Sequence, residues 1–154
     1  MKRQIKSFSN AFKGIAAAFI TEGHMRFHFV AAFFVLLFAY ICEVSFNEWA
    51  ILILTIGSVF ASELINTAIE KTCDLYSTEK NPLIGTIKDI SAGAVLISAI
   101  ASIGVAVFVF ILSGNLMYGI ERLIKHPFYF IPLGICAVCS VLFILFGGVK
   151  NTKK

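Results

Sequence analysis

Four polar side chains recur at helical spacing in a stretch that is otherwise apolar: Glu63, Asn66, Glu70 and Asp74. At about 100° per residue they fall in a stripe roughly 80° wide and ~16 Å long. A carboxylate near the middle of a bilayer costs on the order of 2.5–3.5 kcal/mol. A helix carrying several on one face needs a metal ion, a bound substrate or a neighbouring helix to offset that cost. Two further clusters accompany the stripe. Glu22 follows a basic amphipathic segment, and Lys88-Asp89 precede the small run Ser91-Ala92-Gly93-Ala94, which allows close helix packing.

This inventory suits phosphoryl transfer. Two or three carboxylates can hold Mg²⁺, which prefers oxygen ligands and keeps phosphate oxygens in its shell. A lysine can neutralise phosphate charge. A carboxylate at the membrane boundary can accept a hydroxyl proton, and an asparagine can orient it. The soluble nucleotide-binding signatures G-x-x-x-x-G-K-[ST] and G-x-G-x-x-G are absent from the chain. The same polar face can also line an ion path or bind helices together. His24 and His28, one turn apart, could hold zinc with Glu22, or form an interfacial polar pair. Cys136-x-x-Cys139 has metal or redox spacing, but no His or Asp is near it in sequence. It reads, with Cys42 and Cys73, as small apolar residues of packed or lipid-facing helices.

The elements that must position these groups follow from composition. Of 154 residues, 58% are hydrophobic and 14% charged, against about 25% charged in soluble domains. The chain reads as an all-α integral membrane protein. Ile5, Phe8, Phe12, Ile15 and Phe19 recur at steps of three and four, with Lys2, Arg3, Lys6, Asn10 and Lys13 between them. This predicts a surface helix over 3–20. Spans are predicted over about 27–42, 49–69, 90–112 and 128–149. Pro127 can open the last helix; Pro132 would kink it or delay its start. Residues 114–126 are mildly amphipathic and expected on the outer surface. No cleavable signal peptide and no internal repeat is expected. With the amino terminus inside, eleven of thirteen Lys/Arg lie on the cytoplasmic side, so both termini and the stripe are expected there.

The run Glu63-Leu-Ile-Asn66-Thr-Ala-Ile-Glu70-x-x-x-Asp74, followed by Lys88-Asp89-x-x-Ala92-Gly93-Ala94-Val95-Leu96, resembles the signature of the small bacterial membrane diacylglycerol kinases, a family that includes the undecaprenol kinases. The likeness covers about residues 3–112 and extends to Phe12-Lys13-Gly14, Glu22, Arg26 and Glu79. It implies a homotrimer with shared active sites, each protomer having a surface helix and three membrane helices. It also implies transfer of the ATP γ-phosphate to a lipid alcohol, with Mg²⁺. By this resemblance Glu63 matches the general base, and Glu22 and Glu70 the metal-ligating carboxylates. Lys88 and Asp89 match nucleotide-contacting positions, Asn66 and Asp74 polar active-site positions, and Arg3 and Glu79 nucleotide-side positions. Arg26-Phe27-His28 departs from the Arg-Gln-Glu of the proteobacterial type and is similar to the Gram-positive branch, which implies undecaprenol over diacylglycerol. The implied kinase core is 1–112. Residues 113–154 have no counterpart in it. A transporter or proton path, or a structural membrane protein, are the competing classes. The Asp-rich signature of CDP-alcohol transferases and the Arg/His/Asp set of lipid phosphatases are missing.

Overall fold

The computed structural model describes residues 2–76 and 81–147. The chain forms α1 (Lys2–Thr21), α2 (Gly23–Ile41), α3 (Phe46–Tyr76) and α4 (Pro82–Ala106), the last running on through a π-helical turn (Val107–Leu112). Then come α5 (Asn115–Lys125), a 3-10 turn (Pro127–Tyr129) and α6 (Phe130–Phe146). The segments Gly23–Ile41, Phe46–Tyr76, Pro82–Leu112 and Pro127–Phe146 are long and apolar enough to cross a membrane. The fold is that of an all-α membrane protein, as composition predicts.

Three boundaries differ from the sequence reading, each for a local reason. Glu22 is extended and separates α1 from α2, so the helix of the first span begins at Gly23, inside the polar patch. The Asn81 side chain accepts the Leu83 N–H and Pro82 opens α4. This is a cap followed by a residue whose missing N–H is harmless there. Lys88 and Asp89 therefore sit in the second turn of α4 rather than opening it. α6 starts at Phe130, so Pro132 falls in its first turn and kinks nothing. Glu79, Val149 and the basic tail lie outside the described residues.

α3 and α4 form the closest antiparallel pair. Ser62 and Ser98 hydroxyls meet at 2.8 Å, Ser91 meets Asn66 at 2.6 Å, and Lys88 pairs with Asp74. Phe19 of α1 packs edge-on against Phe29 of α2, with ring centroids 5.3 Å apart, and tilts against Phe60 of α3 at 6.2 Å. α6 lies against α2 through Phe143 and Phe29, 6.2 Å apart. Cys136 and Cys139 line a small apolar gap there with Phe33, and all four cysteines are free, in keeping with their packing role.

The buried core sits at the end of the bundle away from the stripe. It joins Ala39, Cys42, Val44, Leu52, Val109 and Phe110. Here Gly114, at φ 78°, turns the chain so that α5 lies on the α2–α3 connection. Gly119 faces Cys42 so closely that a Cβ would collide with its Sγ. Glu43, at φ 51°, accepts from the Tyr118 hydroxyl at 2.8 Å and from Arg122. That bond to the Glu43 carboxylate holds the Tyr118 phenol above its usual range. Glu48 is saturated by Ser45 and by Asn115, the latter at 2.9 Å.

Candidate active site

The carboxylate stripe is graded in depth along α3. Glu63 is 4% exposed, Asn66 and Glu70 are half-buried, and Asp74 is exposed. Taking a carboxylate out of water costs several kcal/mol unless hydrogen bonds replace the lost ones. The polar group that α2 brings to Glu63 is His28, whose Nε2 lies 3.0 Å from Glu63 Oε1. At this separation an N–H on Nε2 can be donated to the carboxylate.

One turn on, the Asn66 amide is held from both sides. The Ser91 hydroxyl of α4 lies 2.6 Å from Asn66 Oδ1 and 2.8 Å from the Lys88 carbonyl, with one proton for the two. Asn66 Nδ2 donates to Glu70 Oε1 at 3.2 Å. Ser91 thus fixes the face of Asn66 that meets Glu70. Lys88 reaches across to Asp74 at the exposed margin. The pair is exposed and screened by water, so the lysine can exchange Asp74 for a phosphate at small cost.

Glu22 enters from the α1–α2 turn. Its Oε1 lies 2.7 Å from Thr21 Oγ1 and 3.5 Å from Lys71 Nζ, next in sequence to Glu70. Arg26 secures the turn from behind. It is 9% exposed and donates to the carbonyls of Phe19 and Ile20 at 3.2 and 3.1 Å. Those carbonyls end α1 and have no partner within the helix. Glu22, Glu63, Asn66, Glu70, Asp74 and Lys88 therefore gather at one end of the α1–α4 assembly.

Two expected residues do not join them within one chain. Arg3 stands in the first turn of α1, about 27 Å along the helix axis from Thr21, the residue before Glu22. Asp89 is exposed on α4. Among the described residues, no three His, Cys, Asp or Glu side chains come together as a metal site. The zinc trio does not form: His24 is exposed and His28 is bonded to Glu63. Glu22 and Glu70 offer hard carboxylate oxygens, the donor chemistry that Mg²⁺ takes. Mg²⁺ needs only one or two such groups beside water and phosphate.

Three residues here are not picked out by sequence alone. Spacing pairs His28 with His24, Ser91 counts as a small residue, and Lys71 is one of the cytoplasmic basic residues. The available signal for His28 is a ring nitrogen inside an apolar run, which must find a partner.

Below the stripe, α2, α3 and α4 enclose an apolar groove of about 340 Å³. His28 stands at its polar end, and Ala31, Val35, Leu52, Val59 and Ala106 line it further in. It follows α2 for about 10 Å, from His28 to Val35. A buried acid beside an apolar groove, with a lysine and further acids towards the surface, can hold a lipid hydroxyl next to a phosphate.

The family model for prokaryotic diacylglycerol kinases matches residues 9–110. The chain belongs to that family. Among curated relatives, the undecaprenol kinase of Bacillus subtilis is 40% identical over 111 residues, covering 72% of this chain and 90% of the relative. The diacylglycerol kinase of Helicobacter pylori strain 26695 is 35% identical over 99 residues, 64% of this chain and 77% of its own. That of Escherichia coli K12 is 33% identical over 101 residues, 66% and 83% respectively. No solved structure matches the chain significantly. As a member of this family the protein is a membrane lipid kinase, a phosphotransferase with an alcohol acceptor.

Proposed function

We propose that the protein transfers the γ-phosphate of ATP to undecaprenol, with Mg²⁺, at the cytoplasmic face of a bacterial cell membrane. The observation that carries this reading is the buried Glu63, 3.0 Å from His28, which itself lines the apolar groove. The likeness to the Bacillus undecaprenol kinase supports the acceptor, as does His28, which distinguishes Arg26-Phe27-His28 from the Arg-Gln-Glu of the proteobacterial type. Excess basic charge on the stripe's side of the membrane supports the orientation, with both termini cytoplasmic.

Glu63 takes the hydroxyl proton as the acceptor oxygen attacks phosphorus. Lys88 draws the phosphates, and Asn66 holds Glu70 in place. Asp74 parks Lys88 until nucleotide arrives. Glu22 and Glu70 would hold Mg²⁺, which when bound neutralises phosphate charge. Asp89, Glu79 and Arg3 contact the nucleotide in this reading. Arg3 is remote from its own chain's Glu22, which favours a homotrimer in which it serves a neighbour's site. Positioning at the interface supplies much of the rate, since phosphoryl transfer asks little covalent chemistry of the protein.

The test is ATP-dependent phosphorylation in mixed micelles offering undecaprenol, diacylglycerol and ceramide in parallel. The expected result is at least a tenfold preference for undecaprenol, ~1.4 kcal/mol. Equal or greater turnover of diacylglycerol would overturn the acceptor assignment and leave the kinase reading intact. Solute uptake into liposomes without ATP consumption would favour a transporter.

A further inference from the structure

Among the described residues, His28 both lines the apolar groove and lies 3.0 Å from the buried acid, within hydrogen-bond reach. Its ring is 19% exposed and the Glu63 side chain 5%, so little water reaches the pair. We propose that His28 is the positioning residue of the phosphoryl transfer, holding Glu63 Oε1 through its Nε2–H so that Oε2 faces the acceptor hydroxyl. The proposal rests on the reading of Glu63 as the base.

A free carboxylate rotates about its last bond and presents either oxygen. A donor fixed on one oxygen removes that freedom and leaves the other oxygen for the reaction. His28 and Glu63 belong to different helices, so the α2–α3 packing sets where the free oxygen points. In the step, the acceptor oxygen bonds to the γ-phosphorus while the bond from that phosphorus to the β,γ-bridging oxygen breaks. ADP leaves with the electron pair, and the hydroxyl proton passes to Glu63 Oε2. The Nε2 proton of His28 stays where it is. After product leaves, Glu63 returns its proton to water.

The choice of histidine fits the place. A carboxylate at this position would face Glu63 with a second negative charge, whereas an imidazole N–H supplies a donor and a mostly apolar ring that suits the groove wall.

The test compares kcat and KM for ATP and for acceptor in wild type, His28→Leu, His28→Gln and Glu63→Gln, with detergent-phase elution and circular dichroism to establish folding. His28→Leu keeps an apolar wall and deletes the donor. It should lower kcat on the order of 10–100-fold, with both KM values within a factor of about three. His28→Gln offers an N–H at similar reach and should recover most of the loss. Wild-type kcat in folded His28→Leu would overturn the proposal. So would an equal loss in the Leu and Gln variants, or a loss confined to the acceptor KM, which would make His28 only a wall. An active Glu63→Gln enzyme would instead remove the base reading itself. If His28→Leu does not fold, His28→Gln against Glu63→Gln decides: near-wild-type kcat in the first supports the proposal, and loss in both overturns it.

Discussion

The two ends of the bundle treat their acids differently. At the core end, Glu43 and Glu48 are satisfied by Tyr118, Arg122 and Asn115 of α5 and by the adjoining Ser45. The apolar residues beneath them include Ala39 and Val109, both fully covered. At the other end, Glu22, Glu63, Glu70 and Asp74 draw their partners from α1, α2, α3 and α4. Acids that hold a fold together are closed off by what surrounds them. The acids of the candidate site are held at one oxygen or by exchangeable surface pairs.

Substitutions at the two ends should therefore separate activity from stability. Glu63→Gln carries the largest effect: turnover falls on the order of 10²–10⁴-fold while ATP binding and the unfolding midpoint survive. An unchanged rate in the micelle assay would break the contrast at its strongest point. Glu70→Gln comes next, raising the Mg²⁺ concentration for half-maximal rate about tenfold in a metal titration. Unchanged metal dependence would leave Glu70 a partner of Asn66 alone.

At the core end, Gly119→Ala forces a Cβ against Cys42 Sγ. Such overpacking costs typically 1–3 kcal/mol. It should lower the unfolding midpoint in detergent, leave kcat unchanged below that midpoint, and be suppressed by Cys42→Ala. Arg122→Gln is the mildest case. It removes a partly exposed ion pair with Glu43, a loss of about 1 kcal/mol or less. A clear drop in kcat in either core-end variant would show that the ends are coupled.

Much of this was legible in the sequence. Helical spacing put Glu63, Asn66, Glu70 and Asp74 on one face, and hydropathy found every span, because both depend on local order along the chain. What it could not supply were pairings between helices: His28 with Glu63, Ser91 with Asn66, Lys71 with Glu22. Those depend on the rotation and register of packed helices, which no single segment encodes. Boundaries slipped where side chains override hydropathy. Asn81 caps α4 a full two turns before its apolar run, and Glu22 breaks the chain inside a polar patch.

The three links between α3 and α4 span about 18 Å, from Ser62 to Asp74. A slide of α4 by one residue would unmake the two serine contacts together and leave each hydroxyl only its bond to its own helix. The hairpin consequently has a preferred notch, and the α4 turn that carries Lys88 keeps its depth relative to Asn66. The level of the polar stripe is thus metered partly by two serines, Ser62 and Ser98, well inside the apolar layer.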